Sequence, residues 1–146
     1  MELNKFLPYQ LSVLSNKISA GIAKYYRQQY NISVSQWRVL ALLSDKGNQT
    51  AKELTIKSQM DKVRVSRTMK SLEERNFISQ QACQKDKRAR RYKLTKEGDA
   101  LINEVKPKAI AFEKRLLETL STIQIDELQN CLQALNSQVD KITEEI

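Results

Sequence analysis

Arg64 and Arg67 stand three residues apart in a short run that also carries Lys62, Val63, Ser66 and Lys70. A guanidinium group can grip a guanine edge with two hydrogen bonds, and a valine can meet a thymine methyl. Val63, Arg64 and Arg67 are therefore candidate base readers, while Lys62, Ser66 and Lys70 suit phosphate oxygens. A second basic cluster follows at Lys85-Asp86-Lys87-Arg88-Ala89-Arg90. Six basic residues lie between Lys85 and Lys93, against the single acid Asp86. Asp86 is in reach of Arg88 across a turn. An arginine held this way loses less entropy on entering a minor groove, where negative potential concentrates. Arg88 and Arg90, with Asp86 in support, complete the candidate set. The bland alternatives are a solvated helix face and a flexible charged loop.

Those residues need a helix to carry the first cluster and a hairpin to carry the second. The stretch Asp61 to Gly98 supplies both. Asp61 caps a helix over Lys62 to Arg75, with Val65, Met69 and Leu72 at helical spacing on its inner face. Val63, Arg67, Lys70 and Glu74 fall on the opposite face, with Arg64, Ser66 and Ser71 on the flanks. Phe77 to Gln84 has no helical period and reads as a strand, and Arg91 to Leu94 as its return. The cluster from Lys85 to Arg90 is the loop between them. A helix suits the major groove of DNA and a basic loop suits the backbone or the minor groove.

Charge is concentrated in the same place. The chain of 146 residues holds 25 basic and 17 acidic residues, a net of +8. Between Thr50 and Gly98 there are 14 basic and 6 acidic residues, so this third of the chain carries the whole excess and the rest is neutral. A basic segment on a neutral frame is an electrostatic footprint for a polyanion.

The remaining pattern is helical. Leu7, Leu11, Leu14, Ile18, Ile22 and Tyr25 form one stripe on a helix from about Lys5 to Gln29, with Pro8 in its first turn. Ser33 and Gln36 make a capping box for a helix over Val34 to Ser44, with Trp37, Leu40, Ala41 and Leu43 as core candidates. Thr50 and Glu53 make a second box, opening a short helix to Lys57. With the next helix it forms a helix-turn-helix. Thr95 caps a fifth helix to about Thr119, which Pro107 kinks without ending. In the sixth, Ile125, Leu128, Leu132, Leu135, Val139, Ile142 and Ile146 form a seam of period near 3.5, which favours packing against another helix. This seam and the N-terminal stripe are expected to pack together and against a second copy.

Several classes are disfavoured. There is no histidine, which removes the Ser-His-Asp arrangement, Cys-His activation and every histidine-containing zinc site. No glycine-rich phosphate loop is present, and no cluster of carboxylates, lysine or tyrosine suggests an enzyme. No cofactor or metal is expected. The longest apolar run is too short to span a membrane and there is no secretory signal. Two distant cysteines, Cys83 and Cys131, fit a reducing cytosol. The residues alone leave three readings open: a sequence-specific DNA-binding regulator, a non-specific architectural DNA-binding dimer, and a winged-helix protein-interaction module.

The chain resembles the MarR family of bacterial transcriptional regulators. Asp86-Lys-Arg88 and Leu94-Thr95-Lys-Glu-Gly98 fit that family's DxR…LTxxG wing signature. Gln36-Trp37-Arg38-Val39-Leu40 and Asp61-Lys-Val-Arg-Val-Ser66-Arg67 fall where the family has its second helix and its recognition helix. The resemblance implies a mainly α fold with a small β-hairpin, a winged helix-turn-helix at residues 33–98. It makes residues 1–30 and 99–146 dimerisation helices of one protomer, 1–146. It further implies a cytoplasmic homodimer on an inverted-repeat operator, usually a repressor, released in many members by small aromatic acids or phenolics. In the family the arginine of the DxR pair enters the minor groove, which carries onto Arg88 with Asp86 in support. The oxidation-sensing branch has its cysteine in the first helix, where this chain has none, so Cys83 and Cys131 are read as structural. Tyr9, Arg27, Trp37 and Arg38 could line an effector crevice, but packing and surface roles explain all four and none is assigned.

Overall fold

A computed structural model describes the chain outside residues 83–88. A single 3-10 turn at Leu3–Lys5 leads into α1 (Leu7–Tyr30), followed by α2 (Val34–Lys46), β1 (Gln49–Thr50), α3 (Ala51–Ser58) and α4 (Lys62–Glu74). Then come β2 (Ile78–Ala82), β3 (Arg90–Leu94), α5 (Lys96–Leu117) and α6 (Thr122–Glu144). The chain divides into two compact units, Met1–Ala109 and Ile110–Ile146.

Local chemistry sets the boundaries in the first unit. Both expected capping boxes close. The Ser33 side chain accepts from the Gln36 N–H while the Gln36 side chain accepts from Ser33, and Thr50 and Glu53 repeat the exchange. Asp61 accepts from the Arg64 N–H at 2.8 Å and starts α4. Left-handed residues end helices at Asn31 and Gln59, with φ of 50° and 55°. Gln59 thereby makes the tight turn between α3 and α4. Gly47 ends α2 at φ 71° and ψ −137°, a conformation that glycine adopts without a Cβ clash.

The sheet has three antiparallel strands in the order β1-β3-β2. Ile78 pairs with Leu94 and Ala82 with Arg90, so the return strand begins one residue before the expected Arg91. Arg90 is therefore a strand residue rather than part of the loop. β1 was not legible: two residues are too few to show an alternation. It pairs Gln49 with Tyr92 and Thr50 with Arg91, tying the start of α3 to the hairpin.

The core gathers Val39, Leu40 and Leu43 of α2, Leu54 of α3, and Val65, Met69 and Leu72 of α4 with Ile78 and with Leu101, Ile102 and Val105 of α5. The expected inner face of α4 is thus buried. The stripe of α1 divides along its length. Leu7, Leu11 and Leu14 are 41–50% exposed in the protomer, whereas Ile22 and Tyr25 pack against the core that Ala23 and Tyr26 enter. Tyr26 stacks on Trp37, centroids 5.3 Å apart, so Trp37 serves packing. In the second unit α6 has no buried residue, and Leu128, Leu132, Leu135, Val139 and Ile142 of its seam are 38–54% exposed. α5 runs unbroken through Pro107.

Candidate nucleic-acid interface

Burial of Val65, Thr68, Met69 and Leu72 turns the rest of α4 outward. Lys62, Val63, Arg64, Ser66, Arg67 and Lys70 are all exposed. Val63 alone is apolar and is 58% exposed on a helix with no need of it in the core. The helix thus presents three kinds of surface. Val63, Arg67 and Lys70 form the outer ridge, one helical turn apart. One flank meets α2, where Arg64 Nε donates to Ser35 Oγ at 2.7 Å and Gln36 Nε2 donates to Ser71 Oγ at 2.8 Å. The other flank borders a cavity of about 600 Å³, whose lining includes Lys52 and Ile56 of α3, Lys62, Ser66 and Lys70 of α4, and Tyr92 of β3. Three lysines around that opening make a positive rim.

The base of the hairpin is fastened to this helix. Arg90 Nη1 donates to Gln80 Oε1 at 3.2 Å, and Gln80 Nε2 donates to Glu73 Oε2 at 2.9 Å. A polar relay therefore runs from β3 through β2 to α4. Beside it, burial raises the Tyr92 hydroxyl above its ordinary range, and the Glu73 carboxylate adds to the effect. On the other side of β3, Arg91 lies 3.8 Å from Glu53 and donates to the Asn48 carbonyl at 3.3 Å. Arg90 and Arg91 are thus oriented by the fold at the root of the loop. Asp86, Arg88 and Cys83 lie outside the described residues, and their assignments remain those of the sequence.

The far end of α4 is locked into the rest of the first unit. Arg75 donates through Nη1 to the Asn31 carbonyl at 2.8 Å and through Nη2 to the Tyr30 carbonyl, and it stacks over the Phe77 ring at 5.0 Å. A cation here satisfies the carbonyls that the end of α1 leaves open. Tyr30 in turn donates its hydroxyl to Glu104 of α5. Sequence reasoning missed Ser35, Gln36–Ser71 and Arg75. Each is a polar residue whose partner lies 29 to 45 positions away, and no local period announces such a pairing.

Two of the four residues weighed for an effector crevice share a cavity lining. Trp37 and Arg38 border a cavity of about 360 Å³ with Ala41, Leu42, Lys57 and Ser58; Tyr9 and Arg27 are not among its lining. Cys131 is a free, exposed thiol on α6. Among the described residues no group of histidine, cysteine, aspartate and glutamate could hold a metal ion, and no helix is long and apolar enough to cross a membrane.

Known proteins share this arrangement. The model of the MarR family matches residues 32–89, from the end of α1 to the root of the hairpin. An uncharacterised HTH-type transcriptional regulator of Bacillus subtilis (strain 168) is 32% identical over 115 residues, which is 79% of this chain and 82% of that protein. A MarR/EmrR family transcriptional regulator from Acinetobacter sp. ADP1 superposes with a TM-score of 0.87 at 30% identity, covering 97% of this chain and 99% of the other. A MarR family regulator from Silicibacter pomeroyi DSS-3 gives 0.82 at 29% identity, covering 95% and 98%.

Proposed function

This chain belongs to the MarR family, and from that membership we infer that the exposed face of α4 and the hairpin beside it are the surface through which it reads DNA. The chain is a winged helix-turn-helix regulator of transcription that binds DNA sequence-specifically, and its family is one of regulators rather than enzymes. One observation carries the assignment of the surface. Every basic side chain of α4 from Lys62 to Lys70 is exposed, while Val65 and Met69 between them are buried. Evolution of a merely soluble helix has no need to gather its cations against a second basic element.

On this reading Val63, Arg64 and Arg67 meet base edges in the major groove, and Lys62, Ser66 and Lys70 meet phosphates. Arg90, fastened to Gln80, contacts the backbone at the root of the wing. Arg88 enters the minor groove with Asp86 in support, an assignment that rests on the DxR signature. Residues 33–98 form the DNA-binding lobe. Residues 1–30 and 99–146 form the helices of a homodimer, an assignment supported by the exposed apolar seam of α6. Two lobes related by a two-fold axis then match an inverted repeat, with recognition helices about 34 Å apart in successive major grooves. Repression in the cytoplasm, relieved by a small aromatic or phenolic ligand, belongs to the same proposal and is supported by family membership.

Selection of binders from a pool of random duplexes at near-physiological salt tests this directly. The expected result is enrichment of an inverted repeat with half-sites about one helical turn apart. Tight binding without enrichment would overturn it in favour of an architectural DNA-binding dimer. Absence of binding would favour a protein-docking module.

A further inference from the structure

Arg64 is not a free arm. Its backbone N–H is held by Asp61, and its side-chain Nε donates to Ser35 Oγ at 2.7 Å. Ser35 lies in the first turn of α2 and is 7% exposed, so its hydroxyl is a fixed point rather than a mobile surface group. The flank is held again two turns along α4, where Gln36 donates to Ser71 at 2.8 Å. Gln36 is itself anchored, because its Oε1 accepts from the Ser33 N–H at 2.8 Å. The first turn of α2 is thus a rigid rail against which Arg64 leans.

A guanidinium group is planar, so fixing one nitrogen constrains the whole plane. The contact with Ser35 occupies Nε and not the two Nη groups at the tip. Those are the nitrogens that can span O6 and N7 of a guanine end-on. We propose that Ser35 is a positioning residue for base recognition: by holding Arg64 Nε it sets the guanidinium plane before DNA arrives, and so sets how sharply one base pair of each half-site is discriminated. This rests on Arg64 being a base reader. Ser35 itself touches no base. It acts by removing rotamers that an exposed arginine would otherwise lose on binding, an ordering cost that opposes association.

Ser35→Ala isolates the effect. The substitution removes one hydroxyl and leaves no buried orphan, because the exposed Arg64 can turn its Nε–H to water. The test uses the full chain, the operator enriched from random duplexes, all its single-base-pair variants, and a control duplex lacking the motif. Affinities are compared for the parent, Ser35→Ala, Arg64→Ala and the double variant. Arg64→Ala is expected to abolish base preference at one position per half-site. Ser35→Ala should weaken that same preference about two- to tenfold, with unchanged affinity for the control duplex and an unchanged salt slope. The double variant should match Arg64→Ala, since Ser35 acts only through it.

If Ser35→Ala keeps the parent's preference where Arg64→Ala loses it, Arg64 reads without help and the proposal falls alone. Equal loss of affinity for operator and control duplex would mean a structural role for Ser35, and also overturn it. If Arg64→Ala preserves every preference, the base-reading role of Arg64 falls and takes the proposal with it.

Discussion

A β-carbon built on Gly98 would lie 2.1 Å from the carbonyl oxygen of Phe77 and 3.3 Å from Cδ2 of Leu94. No rotamer relieves such a contact, because the obstructing atom is backbone. The approach is close because Thr95 stitches the start of α5 to the end of α4. Its hydroxyl donates to the Asn76 carbonyl at 2.6 Å and accepts from the Gly98 N–H at 3.1 Å, while its own N–H donates to Phe77 at 3.1 Å. Leu94-Thr95-Lys-Glu-Gly98 is therefore a joint: the threonine makes the bonds and the glycine permits the distance. Gly98→Ala is expected to destabilise the fold by about 1–3 kcal/mol through overpacking, read as a lower urea midpoint. An unchanged midpoint would mean that Phe77 and α5 can part at no cost, contrary to this geometry. The motif was legible in the sequence as a cap and a signature. The reason for its glycine was not, since Phe77 stands 21 positions away and only the folded chain brings its carbonyl there.

Elements were legible where local chemistry decides them and obscure where partners decide them. The capping boxes at Ser33 and Thr50 and the cap at Asp61 use residues three apart, so α2, α3 and α4 start where their sequences say. The burial of α1 depends on what it meets: Ala23 and Tyr26 enter the core with Ile22 and Tyr25 packed against it, while Leu7, Leu11 and Leu14 stay exposed in the protomer. What holds the end of α1 is polar. Arg75 of the α4 end binds its last carbonyls, and Tyr30 donates to Glu104. The Tyr30 hydrogen bond pulls the Glu104 carboxyl below its ordinary range, and the same bond raises the tyrosine. The sign follows from each group. A depressed carboxylate contributes stability that is present above its unfolded value and lost as pH falls through its folded value. A raised tyrosine contributes stability that is lost as pH rises through its folded value. The bond therefore acts between the glutamate and tyrosine ranges. Tyr30→Phe should lower the urea midpoint at neutral pH, and the gap to the parent should close as pH falls below the glutamate range. A gap that stays constant throughout would assign the effect to packing rather than to this bond.

At the scale of the molecule, the most regular helix carries an exposed apolar seam. α6 spans 23 residues, yet none is buried, and the apolar residues of its seam from Leu128 to Ile142 are exposed. A helix without packing is marginal in water, whatever its propensity. An apolar seam repeated every three and four residues is stable once a like helix covers it. A second copy also resolves the charge arrangement. One basic lobe on a neutral frame binds a polyanion weakly, whereas two lobes joined through neutral helices share one duplex at high effective concentration. Leu132→Glu with Leu135→Glu puts two carboxylates into the seam, where each lacks a partner and removes an apolar contact. Sedimentation should give a dimer for the parent and a monomer for the double variant at micromolar chain. Operator affinity should fall by a factor larger than any single phosphate contact explains, because each lobe then binds alone. Retention of the dimer by the variant would move the interface off α6. A parent that sediments as a monomer would remove the two-fold axis, and with it the expectation of an inverted repeat.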